Sequence, residues 1–234
     1  ATQSFTLTVQ EGPAITSADA ATFTVGTAGT FTVTTSGYPN PALTQSGALP
    51  AGVTFTDNGT GTATLAGTPA VGTGGTYALT ITAANDVSPD AAQSFTLTVQ
   101  ERPAITSTGA ATFTVGTAGS FGVTTSGYPK PDISLSGTLP TGVTLGDNGD
   151  GTATLSGTPA AGTGGAYALT ITSANDVSPN ATQSFTLTVQ ERPAITSANA
   201  AAFTVGTAGS FTVTTSGYPK PTITESGALP DGVS

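Results

Sequence analysis

In the stretch SFTLTVQ at 94–100, Phe95, Leu97 and Val99 alternate with Thr96, Thr98 and Gln100. A period of two turns one set toward a core and the other toward water, which marks a strand with one buried face. The same alternation predicts strands near 104–107, 111–115, 120–125, 132–135, 152–156, 166–172 and 184–190. Phe113, Val115, Phe121, Val123, Leu155, Tyr167, Leu169, Ile171, Phe185, Leu187 and Val189 take the inward positions. The outward positions are mostly Thr, whose β-branch favours extended backbone while its hydroxyl tolerates water. DNGDG at 147–151 and GTGG at 162–165 carry the turn chemistry expected at hairpins. No useful length of chain shows a 3.6-residue period, so the chain is expected to be all-β with almost no helix.

The pattern repeats. A shift of 90 residues aligns FTVGTAG at 23, 113 and 203, SGYP at 36, 126 and 216, and YALTIT at 77 and 167, with no insertion or deletion. A period near 90 is too long for a helix-pair solenoid and suits one small immunoglobulin-like sandwich per repeat. Pro103 lacks an amide donor and suits the first residue of an edge strand, so the boundary is expected at about 102/103. In that frame residues 1–12 read as the last strand of a preceding repeat. Residues 13–102 and 103–192 read as whole repeats, and 193–234 as the first half of a further one.

Composition narrows the chemistry. Charged residues are 7% of the chain and the net charge is −9, with Arg102, Lys130, Arg192 and Lys220 as the only basic side chains. No basic patch exists to neutralise phosphates, so nucleic acid is not an expected partner. His, Cys, Met and Trp are absent, which removes thiol nucleophiles, imidazole bases and the nitrogen and sulfur metal ligands together. Acidic residues are scattered through turns, with no carboxylate pair repeating on facing strands, so the expectation is a non-enzymatic protein with no cofactor. No apolar run approaches the 18 residues of a membrane-spanning helix.

Three ordered pieces carry a resemblance: L-P-x-G-V at 49–53 and 139–143, L-x-G-T-P at 65–69 and 155–159, and G-x-Y-x-L-T-I-T at 75–82 and 165–172. With them the chain resembles the Putative-Ig repeat family of bacterial surface and secreted proteins, related to cadherin-like repeats. The resemblance implies tandem immunoglobulin-like β-sandwiches in an extracellular or cell-surface array and carries over no catalytic residue. The Cys…Trp…Cys core of antibody-type domains is missing here. So are the carboxylate-rich junctions that hold calcium between cadherin-type domains.

Three sets of positions remain as candidates. The interdomain junctions are Gln100, Glu101, Arg102 and Pro103, and again Gln190, Glu191, Arg192 and Pro193, with no slack for a flexible linker. Tyr38, Tyr128 and Tyr218 lie in Tyr-Pro loops, where an aromatic flanked by prolines either contacts a partner or packs over the end of a sandwich. Asp86 and Asp90 with Asn85, and Asp147 and Asp150 with Asn148, offer oxygens for calcium, yet each set supplies fewer than the six a site needs and also suits a turn. The expected role is a stalk or spacer whose partners are neighbouring repeats. Two alternatives are a self-assembling filament subunit, formed from copies of the chain, and an adhesin binding a glycan or protein through the Tyr-Pro loops.

Overall fold

The computed structural model describes all 234 residues, and every regular element in it is a strand. The chain divides into two compact units. The first comprises Ala1–Ile105 with Thr125–Asp132 and Ser173–Ala181, and the second Thr106–Thr124, Ile133–Thr172 and Thr182–Ser234.

In the first unit the strands are β1 (Glu11–Ile15), β2 (Ala20–Thr24), β3 (Gly29–Tyr38), β4 (Ala42–Ser46), β5 (Val53–Asp57), β6 (Thr62–Gly67), β7 (Gly75–Ala84) and β8 (Ala91–Ile105). One sheet runs β1-β3-β6-β5. In the other, β4, β7 and β8 are neighbours and β2 lies parallel to β8. This is the two-sheet arrangement of an immunoglobulin-like sandwich. Alternate residues of both sheets make the core, with Val33, Ala63 and Leu65 from one and Leu79, Ile81, Phe95, Leu97 and Val99 from the other. On the outer faces Thr pairs with Thr across strands, as in Thr32↔Thr64, Thr56↔Thr64 and Thr76↔Thr98. Such cross-strand pairs fix register with little charge.

The second unit holds β9 (Ala110–Thr114), most of β10 (Gly119–Tyr128) and of β11 (Asp132–Ser136), then β12 (Val143–Asp147) and β13 (Thr152–Gly157). Most of β14 (Gly165–Ala174), nearly all of β15 (Ala181–Ile195) and β16 (Thr215–Tyr218) complete it. β12 and β10 flank β13, β11, β14 and β15 are neighbours, and β9 runs parallel to β15. Of the expected inward residues, Phe113, Val123, Leu155, Leu169, Ile171, Phe185, Leu187 and Val189 are buried, while Val115, Phe121 and Tyr167 are half-buried.

The structure corrects three readings. β12 is a strand the alternation did not yield, because Gly146 and Asp147 break a pattern that its counterpart Val53–Asp57 shows plainly. GTGG at 162–165 is no hairpin turn: it carries the chain from β13 to β14, which lie in different sheets. Pro103 does not begin a strand. It is buried inside β8, whose inward positions stay odd-numbered from Phe95 through Pro103 to Ile105.

Four serine hydroxyls, of Ser17, Ser107, Ser173 and Ser197, are buried without a partner, and Ser173 is the one whose whole residue is buried. Ser173 on β14 is fully buried and its Oγ has no hydrogen-bond partner, whereas the equivalent position on β7 is Ala83. An orphaned polar group in a core costs its desolvation with no return. Ser173→Ala is therefore expected to stabilise the chain by about 1 kcal/mol in urea unfolding; an equal or lower midpoint would contradict this.

Candidate functional site

The boundary residues and the Tyr-Pro loops come together. Residues 91–99 of β8 pair with β7, and residues 101–105 pair with Thr125–Tyr128 of β10. Between the partners Tyr128↔Glu101 and Ser126↔Ala104, Arg102 and Pro103 face Gly127 alone. Two residues opposite one make a β-bulge, a site where a sheet admits a proline that cannot donate to the ladder. The bulge recurs as Gly12-Pro13 opposite Gly37 and Arg192-Pro193 opposite Gly217. The Gln100 and Gln190 carbonyls accept the Val25 and Val115 amides, extending the parallel pairing, and Arg102 and Arg192 are exposed.

Glu101 is held at both ends. Its carboxylate accepts the Gly72 N–H at 2.7 Å and the Gly74 N–H at 3.1 Å. Two backbone donors converging on one carboxylate form a small anion-binding concavity, and hydrogen bonds to an ionised acceptor are the stronger kind. The loop that supplies them is braced from within: Thr73 Oγ1 donates to the Ala70 carbonyl, and Tyr77 Oη donates to the Thr73 carbonyl at 2.8 Å. A tyrosine at the start of this strand bonding back four residues is the corner found in many immunoglobulin-like sandwiches. At the other end, the Glu101 carbonyl accepts from Nδ2 of buried Asn175 at 2.8 Å. The same Nδ2 donates to the Pro129 carbonyl at 2.8 Å, and Asn175 Oδ1 accepts the Val177 N–H.

Tyr128 completes the cluster beside Gly74, where a Cβ would stand 2.7 Å from Glu101 Cβ and 2.9 Å from Tyr128 Cβ. All of these residues belong to the first unit. The second unit repeats the arrangement. The Glu191 carboxylate accepts from Gly162 and Gly164 at 2.7 and 3.2 Å, and Tyr218 lies against Gly164. Tyr38 and Glu11 pair in the same register, and Asn85 holds the Glu11 and Pro39 carbonyls, but no glycine loop covers them. Tyr38 is 54% exposed, whereas Tyr128 and Tyr218 are half-buried.

The calcium candidates do not assemble. Asp147 accepts the Ile133 and Gly149 amides, Asp150 accepts the Thr152 amide, and Asp86 is a turn residue at φ 62°. Asp90 ends that same turn, fully exposed, and nowhere do three acidic side chains gather. Asn85 turns its Oδ1 toward the Val87 amide and uses its nitrogen as a double donor, so it is a structural tie and no cation ligand. The glycine loop at 72–74 and the asparagine ties escaped the sequence reading. The signal available was their recurrence, Asn85 with Asn175 and Gly72-Thr-Gly74 with Gly162-Thr-Gly164, while the neighbouring Asp90 changes to Asn180.

The sequence model of the family described as "Putative Ig domain" matches residues 12–100 and again 102–190. No curated protein matches the chain in sequence. Among solved structures, titin Ig tandem domains align with 79% of this chain and 100% of theirs at 18% identity and a TM-score of 0.53. Dpr11 IG1 bound to DIP-gamma aligns with 76% of this chain and 98% of that one at 15% identity and a TM-score of 0.54. A complex of Dpr2 Ig1-Ig2 with DIP-Theta gives 0.55 at 16% identity, over 77% of this chain and 65% of the other. At these identities the likeness concerns the fold alone.

Proposed function

The chain belongs to the Putative Ig domain family, in two consecutive copies, and on that premise we propose that it is a structural spacer of tandem immunoglobulin-like domains on a cell surface or in a surface fibre. The observation that carries this reading is the boundary itself. Gln100, Glu101, Arg102 and Pro103 lie inside one unbroken strand, Ala91–Ile105, with both Glu101 ends hydrogen-bonded. A protein whose task is to hold something at a distance needs boundaries with little freedom, and a strand with both edges of a bulge paired supplies that. The immunoglobulin-like fold is generally non-enzymatic, and a surface of Thr pairs with 7% charged residues fits a passive exterior.

The test is the breadth of a distance distribution. With spin labels at Gly59 and Gly149, both in exposed hairpin turns, the spacer reading expects one narrow distribution that broadens when four Gly-Ser residues are inserted between Arg102 and Pro103. A broad distribution in the parent chain would overturn it. Sedimentation velocity over a wide concentration range addresses the filament alternative: a single concentration-independent mass supports the spacer, and growth with concentration supports assembly.

A further inference from the structure

We propose that the Gly72–Gly74 loop and its counterpart Gly162–Gly164 are docking sockets for the boundary strand, each taking the boundary glutamate as its ligand and the Tyr-Pro loop of the following repeat as its wall. On this view the Tyr-Pro loops serve joining of repeats, and no external ligand is needed to account for them. Four observations lead there. Two backbone amides meet one carboxylate in both copies, at 2.7 and 3.1 Å for Glu101 and 2.7 and 3.2 Å for Glu191. Gly74 and Gly164 are the loop positions where any Cβ would strike both the glutamate and the tyrosine. The adjacent Gly75 has nothing within 4 Å of its Cβ position, so the demand for glycine is local to the socket. Finally, Tyr128 and Tyr218, each beside such a loop, are both half-buried.

The chemistry is selective. A carboxylate with two separately placed oxygens can accept both amides, while an amide side chain can accept only one and presents a donor to the other. The absence of a side chain at Gly74 leaves room there for the Cβ atoms of Glu101 and Tyr128. The partner that fits is a segment reading Glu-x-Pro followed about 25 residues later by Gly-Tyr-Pro, as at Glu101 and Gly127-Tyr128-Pro129. The inference rests on the spacer reading only for its mechanical consequence; the socket would stand if the chain served some other role.

Residue-resolved amide exchange on the full chain decides it, with the second socket as an internal control. Glu101→Ala should raise exchange at Gly72 and Gly74 by about tenfold or more, the loss expected when a charged acceptor is removed. Glu101→Gln should do so at only one of the two. Gly162 and Gly164 should be unchanged in both variants. Gly74→Ala should expose the amides of Glu101, Ala104 and Ile105, Gly75→Ala should not, and Tyr128→Gly, which removes the Cβ beside Gly74, should raise exchange at Gly74. Should Gly74→Ala fail to fold, the Glu101 and Tyr128 variants still carry the test. Unchanged exchange at Gly72 and Gly74 in Glu101→Ala would overturn the socket, and an equal rise at Gly162 and Gly164 would reduce it to general destabilisation. Unchanged exchange in Tyr128→Gly would remove residue 128 from it. None of these readouts depends on the label distances that test the spacer, so the two readings fail separately.

Discussion

Alanine in place of Gly157 should destabilise the chain by about 3–5 kcal/mol, among the largest effects of any single methyl group in it. Gly157 ends β13 at φ +145°, outside the range of ordinary side chains, and its Cβ would fall inside the carbonyl oxygen of Gly142. At Gly142, φ +92°, a Cβ would in turn fall 2.2 Å from the Thr158 carbonyl oxygen. Two backbones therefore pass at a distance only hydrogen atoms allow, and neither can retreat, because Val143 pairs with Gly157 in the β12–β13 ladder. This gives L-P-x-G-V and L-x-G-T-P a physical meaning: they are the two halves of one close crossing, repeated at Gly52 and Gly67. The comparison variant is Gly146→Thr. That position is open, and its counterpart is already Thr56, so the change should be neutral or slightly stabilising. Urea unfolding of both variants checks the pair. A small effect at Gly157 would mean that the crossing can open.

Phe95→Ala should cost about 3–5 kcal/mol by the same measurement. Phe95 is 1% exposed on β8, and its ring lies 5.1 Å from that of Phe31 on β3, tilted by 48°. The two strands belong to facing sheets, so this pair joins the halves of the sandwich without any disulfide. Phe121 and Phe185 repeat the pair at the same distance. Most of the loss is cavity and transfer, with about 0.5–1.5 kcal/mol in the ring contact itself. A double-mutant cycle with Phe31→Leu and Phe95→Leu isolates that contact, and a coupling near zero would assign the whole effect to volume.

How far the sequence speaks is shown by one heptapeptide. SFTLTVQ occurs at 4–10, 94–100 and 184–190, always with the alternation of a strand. At 94–100 it lies between β7 and β2, and Phe95 is buried. At 4–10 no strand forms, and Phe5 is 84% exposed. Alternation reports which face a strand would bury; the ladder that makes it a strand comes from a partner dozens of residues away. The long-range parts of the site were hidden for the same reason. Glu101 was legible as a boundary residue, but its acceptors' donors at Gly72 and Gly74 and the tie from Asn175 lie 27 to 74 residues off. The bulge was hidden because proline reads alike at a strand's start and at a bulge.

The unbroken strand across the boundary also bears on heredity. From Phe95 to Ile105 inward side chains of β8 keep to odd numbers straight through the bulge. A boundary that gained or lost one residue would turn an inner face outward. Recombination between near-identical copies, by contrast, adds or removes 90 residues at once and reproduces the same Gln-Glu-Arg-Pro boundary, so facing is intact. Exchange in whole repeats would therefore change the number of copies while leaving the residues at each boundary as they are.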